Sequence, residues 1–253
     1  MSKIIQKSGN ATVVLSFISI ISFIYIILLE FIIPANKILP KPSILLESIP
    51  SLFNDYNFLS AFLFTLSAIY SITVISYFLV RIGSYLLIKI IDLFPGLIKL
   101  FVMGKYFIPL FFIFLFQLWF GNSIWGEYLF ALIMIMGILK ESVAVQLENV
   151  KGEYIDSANS LGLDKSGIIK NVVWKSIQPK IFHSLRSNHI LIWSYILVYE
   201  YVCVTSGIGA IYRTALEYND LSLVILLIFI TIITFIVMEF AFENIKKKYF
   251  FWN

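Results

Sequence analysis

What this 253-residue chain has least of is cysteine, histidine and charge. Its one cysteine, Cys203, excludes a disulfide scaffold. Its two histidines, His183 and His189, stand about 240° apart around a helix and cannot share a metal on one face. Charged residues make up 13%, where an ordinary soluble domain has about 25%. The formal net charge of +4 is too small to suggest a nucleic-acid partner. Gly207 and Gly209 lack the lysine and helix context of a phosphate-binding loop, so ATP hydrolysis is not expected on this chain. What is abundant is oil: 60% of residues are hydrophobic and 17% aromatic. That excludes intrinsic disorder and makes lipid the expected solvent for most of the surface.

A spanning helix needs about 20 mostly apolar residues. Uncharged runs place six expected spans near 12–33, 58–80, 97–120, 126–147, 184–206 and 221–243. The stretch 82–100 is apolar but is punctuated by Lys89, Asp92 and Lys99, with Arg81 just before it, and reads as an interfacial or connecting helix. The first run is followed by Glu30 and Pro34 rather than by a small-residue cleavage site, so it reads as a retained anchor. No repeat or low-complexity linker interrupts the chain, so residues 1–253 read as one all-α membrane domain.

Lys and Arg set the expected orientation. Lys3 and Lys7 precede the first span, and Lys246, Lys247 and Lys248 follow the sixth. Arg81, Lys89, Lys99 and Lys105 lie between spans two and three. Lys140, Lys151, Lys165, Lys170, Lys175, Lys180 and Arg186 lie around the connection between spans four and five. The other side receives only Lys37, Lys41 and Arg213. Both termini and the long loop 148–180 are therefore expected in the cytoplasm, with 34–57, about 121–127 and 207–220 outside.

The loop 148–180 is the long polar stretch of the chain, and it reads as two short amphipathic helices. Ile155, Ala158 and Leu161 recur by threes on the first; Ile168, Ile169, Val172 and Val173 make a stripe on the second. Between them Gly162 can take the left-handed conformation that ends a helix, and Asp164 can cap the next one. Pro179 is expected to end the second helix. Such a helix–turn–helix, without an acid–base pair, suits docking better than catalysis.

At these residues the sequence resembles a known family. Asp156-Ser157-Ala158, then Gly162, Ile168 and Pro179, resemble the "EAA" cytoplasmic loop of binding-protein-dependent ABC importer permeases of type I. Leu39-Pro40-Lys41-Pro42-Ser43, Leu118-Trp119-Phe120-Gly121, and Glu200 with Ser206-Gly207-Ile208-Gly209 resemble elements of the nitrate, sulfonate and taurine branch, in the same order. The departures are Asp156 for Glu, Ser157 for Ala, and Lys175 and Phe114 at positions where proline is usual. The resemblance implies a permease subunit in a bacterial cell membrane, paired with a second permease subunit. It also implies two ATPase subunits, which carry the ATP and Mg, and an extracytoplasmic binding protein. The substrate class it implies is a sulfonate, nitrate, taurine or a vitamin precursor. The expected ATPase-docking residues are Tyr154, Ile155, Asp156, Ser157, Ala158, Leu161, Gly162 and Leu163. No cofactor and no metal are expected on this chain.

Glu200 is the ionisable residue placed well inside an expected span, roughly 8 Å from the outer end of span five. It either lines the translocation path or is held structurally by pairing or backbone hydrogen bonds. Glu239 and Glu243 are expected to pair with Lys246–Lys248, and Cys203 to pack as a small residue. Trp119, Trp125, Trp193 and Trp252 are expected in interfacial belts. An ion-gradient-driven transporter using Glu200 and an integral membrane enzyme are the competing readings; the enzyme would need clustered acids or histidines within the spans.

Overall fold

The computed structural model describes residue 20 and residues 23–32, 39–94, 96, 99, 109–150 and 152–249. Half of the first expected span, the start of the third, and Lys3, Lys7, Lys37, Lys105, Lys151 and Trp252 lie outside the described residues. Helices follow one another through the rest: Pro42–Asn54, Phe58–Leu93, Pro109–Phe120, Ile124–Glu148, Gly152–Ser160, Lys165–Ile168, Trp174–Ser187, His189–Cys203, Ile208–Glu217 and Leu221–Tyr249. A π-helical turn, Ile169–Val173, joins Lys165–Ile168 to Trp174–Ser187 without a break. Among the described residues, Phe58–Gly83, Ile124–Glu148 and Leu221–Tyr249 are each long and apolar enough to cross a membrane. His189–Cys203 and Ile208–Glu217 make a fourth crossing only as a pair bent by 52°. Shorter apolar helices, Phe23–Ile32 and Phe111–Phe120, fall on the first and third expected spans.

Several boundaries differ from the expectation, for physical reasons. The stretch after residue 81 is no separate helix up to Leu93; it continues Phe58–Leu93. No proline occurs between Phe58 and Pro95, and Arg81 and Lys89 do not stop a helix that has left the apolar layer. At 36 residues this helix is about 54 Å long, well beyond a hydrocarbon core of about 30 Å. Pro179 does not end its helix but lies inside Trp174–Ser187, buried. The connections 34–57 and 207–220 carry helices of their own, Pro42–Asn54 and Ile208–Glu217.

Two compact units share these helices. One comprises residues 1–57 and 214–230. There Pro42 occupies the first turn of its helix, where a missing N–H costs nothing. Ser43 Oγ donates to Glu30 at 3.0 Å, and Tyr25 Oη donates to the Pro40 carbonyl at 3.1 Å. Asp220 caps Leu221–Tyr249 by accepting from the Leu223 N–H at 3.0 Å.

The other unit, residues 58–213 and 231–253, is the larger. In it, helix 58–93 presents Thr65, Ala68 and Ser76, and helix 124–148 presents Ala131, Ser142 and Ala144, all buried. Small residues let helix backbones approach closely where lipid offers no hydrophobic drive for association. Ser67 and Tyr128 hydroxyls meet at 2.6 Å between these helices. Phe116, Phe130 and Tyr199 stack beside them, Phe130 and Tyr199 at 4.9 Å between centroids. On the outside, Ile82, Leu118, Ile233, Val237 and Phe240 are exposed, as lipid-facing residues are.

Candidate functional sites at the two ends of helix 124–148

Helix 124–148 ends at a helix–turn–helix. Gly152–Ser160 closes with the Gly162 N–H bonded to the Asn159 carbonyl at 2.9 Å and the Leu163 N–H to the Ala158 carbonyl at 3.2 Å. That pair of bonds is a Schellman ending, and it needs a left-handed residue after the cap. Gly162 supplies it with φ +76°. Asp164 then caps the next helix, accepting from the Gly167 N–H at 3.1 Å.

This element has two unlike faces. Ala158, Ile168 and Val173 form a small buried core with Ile88, Leu147, Val150, Ile155 and Val172 packed around it. The far end of helix 58–93 thus props the turn through Ile88, and Gln178 Nε2 donates to Tyr77 Oη at 2.6 Å. On the other face Tyr154 is 48% exposed, Leu161 81% and Leu163 38%. Asp156, Ser157 and Gly162 are exposed beside them. Of the eight expected docking residues, six are exposed. Ala158 is used in the element's own core, and Ile155 partly so.

The other end of the same helix buries charge. Glu127 lies in its first turn and Glu200 on helix 189–203; both are fully buried. Glu200 Oε1 accepts from Thr65 Oγ1 at 2.6 Å, and Oε2 accepts from the Gly209 N–H at 2.8 Å. Thr65 Oγ1 in turn accepts from the Ile208 N–H at 3.0 Å. A Cβ on Gly207 would overlap the Glu200 carboxylate, and one on Gly209 would come within 2.6 Å of Glu200 Cβ. The Ser-Gly-Ile-Gly segment is therefore glycine-bearing because it wraps a carboxylate. Val204 sits at φ 50°, ψ 50°, a strained conformation for a β-branched residue, at the turn that starts the wrap.

Sequence reasoning found Glu200 and missed Glu127. The signal was present: an acid within a long apolar stretch, directly after Trp125-Gly126. It read as a loop residue because the helix starts at Ile124, earlier than expected. Trp193 is fully buried rather than interfacial; its Nε1–H reaches His189 Nε2 at 3.1 Å and Tyr70 Oη at 3.2 Å. Trp119 and Trp125 are exposed, and Cys203 is buried. Glu239 and Glu243 are held by Arg186, Glu243 at 2.6 Å, rather than chiefly by the terminal lysines; Lys247 approaches Glu243 at 3.7 Å.

Long apolar helices and lipid-facing side chains, with a helix–turn–helix set between two of them, define a polytopic helical membrane protein. Residues 78–250 match the family described as binding-protein-dependent transport system inner membrane component, and the chain belongs to it. The family is one of inner-membrane components of transport systems, in keeping with the resemblance to ABC importer permeases. The taurine transport system permease protein TauC of Escherichia coli (strain K12) is 23% identical over 145 residues. The matched stretch is 57% of this chain and 53% of that protein, so the chain spans about half the length of this curated relative. No solved structure gives a significant match.

Proposed function

We propose that this chain is one of two permease subunits of an ATP-driven importer, with six spans and both termini in the cytoplasm. Two separate ATPase subunits grip the segment 148–180, and an extracytoplasmic binding protein delivers a small solute to the opposite side. The observation that carries the reading is Leu161, 81% exposed on a turn whose other face is anchored in a core. An apolar residue so displayed, with Tyr154 one face of helix away, suits helix-in-groove recognition by a partner. ATP-driven closure of the partners would move the turn, and the anchored face would pass that motion to helices 58–93 and 124–148. The branch resemblance and the likeness to a taurine transport permease support a sulfonate-like or related small oxyanion as solute. Glu200 takes the structural role in this reading, since its carboxylate is already occupied by Thr65 and Gly209.

The test is capture of the ATPase. Gly162→Val forces a left-handed backbone on a β-branched residue, at a cost of about 1–2 kcal/mol confined to the turn. The variant is expected to insert normally and to lose its ATPase on purification, at least about tenfold relative to wild type. Full capture with normal coupled hydrolysis, or solute uptake that survives ATP depletion, would end the reading. Orientation is checked separately: a cysteine at Lys165 should resist an impermeant thiol reagent in intact cells, while one at exposed Tyr218 reacts.

A further inference from the structure

Beside Glu200, four buried polar atoms have no hydrogen-bond partner among the described residues: Oε1 and Oε2 of Glu127, the Tyr199 hydroxyl and Thr205 Oγ1. Glu127 and Tyr199 are 0% exposed and Thr205 7%. They belong together. Glu127 lies within electrostatic reach of Glu200 and Tyr199, and Thr205 stands next to its carboxyl group. The Tyr199 hydroxyl is 2.7 Å from the position a Cβ on Gly126 would take, at the residue before Glu127.

Glu200 only receives. The Thr65 hydroxyl has one proton; it accepts from Ile208 and finds its nearer acceptor in Glu200, 2.6 Å against 3.2 Å to the Ala61 carbonyl. With the Gly209 N–H on its other oxygen, Glu200 is held as the carboxylate. Glu127 has no such donors among the described residues, and a second bare charge beside the first, both fully buried, is not sustainable.

We propose that Glu127 and Glu200 share a single proton. Glu127, as the acid, donates it to the Glu200 carboxylate, and a small shift of the Thr205 side chain lets its hydroxyl donate to the remaining Glu127 oxygen. One proton and one small side-chain shift then satisfy both Glu127 oxygens and Thr205 Oγ1, within the donor and acceptor capacity of each group. The proton ties helix 58–93 through Thr65, helix 124–148 through Glu127, and helix 189–203 with its following turn through Glu200. Cys203, close to Tyr199, is the further titratable side chain beside the pair. Site and proton are independent of the transported solute. The rival occupant of an all-oxygen site is a small hard cation.

The proposal is tested on the purified full-length protein in lipid nanodiscs. Infrared spectra should show a protonated-carboxyl C=O stretch that resists deuterium exchange in wild type and vanishes in Glu127→Gln. Because the glutamine amide N–H can replace the acid O–H, Glu127→Gln should melt at the wild-type temperature. Glu127→Ala should melt lower, and Glu200→Gln lower than Glu127→Gln. The proposal fails if wild type shows no such band, or if Glu127→Gln is as unstable as Glu127→Ala or yields no folded protein. It also fails if sodium or calcium chloride, compared with choline chloride at matched ionic strength, raises the melting temperature of wild type and not of Glu127→Gln; the occupant is then a cation.

Discussion

Helix 124–148 separates two regions about 30 Å apart that invert the usual rule of burial. At one end charge is buried: Glu127 and Glu200 are fully inside. At the other end oil is exposed: Leu161 and Tyr154 face outward from a polar segment. The buried end is largely self-sufficient, because Thr65, Gly209 and the glycine wrap supply Glu200 from within the chain. The exposed end is half-sufficient. Its inner face packs on Ile88 and Leu147, while its outer face shows apolar surface left exposed by the described residues. The same chain therefore contains one region satisfied from within and one that, in the proposed reading, meets a partner. They should fail differently when altered.

The largest expected effect is at the self-sufficient end. Gly207→Val drives a side chain into the Glu200 carboxylate and should cost at least about 3 kcal/mol, read as lost folded protein on size exclusion and a lowered melting temperature. Normal yield would mean the wrap is loose. Glu200→Gln keeps size but sets an amide against donors it cannot all accept from. A loss of about 1–3 kcal/mol is expected, with uptake of anionic and neutral analogues in unchanged proportion. A gain in anion uptake at normal complex yield would move Glu200 into the translocation path. The smallest effect on stability belongs to the other region. Leu161→Ser removes an exposed side chain and should shift unfolding by no more than about 0.5 kcal/mol, while ATPase capture weakens. If melting falls instead, Leu161 is covered within the chain and the contrast between the two ends collapses.

The helix–turn–helix was legible because its signals are local. Gly162 and Asp164 act within three residues of themselves, and each sits where chain geometry alone requires it. The buried end was half legible. A lone Glu200 in an apolar run announces itself. Its supports do not, since Thr65 is 135 residues away and resembles any small residue on a spanning helix. Glu127 was lost to a boundary only a few residues off. Trp193 was misplaced for a related reason: an aromatic near a predicted span end reads as a belt residue, and only packing against Tyr70 and Phe235 reveals it as core. Pro179 was misread because a proline stops a helix only where its missing N–H and ring cannot be accommodated, which buried packing against helix 124–148 overrides here.

The π turn Ile169–Val173 sets a rotational phase. Each residue of a helix advances the side-chain direction by about 100°, and a π turn holds one residue more than an α-helical turn would. Upstream of it Ile168 points into the core of the docking turn; downstream Trp174, Ile177 and Ile181 point into the bundle. The extra residue works as a gear tooth that lets one continuous rod serve two differently aimed seams. Held to ordinary helix with all five residues kept, the stretch 169–173 would rotate everything after it by about 100° relative to everything before. The core around Ile168 and the buried row of Trp174, Ile177 and Ile181 could then not both be filled.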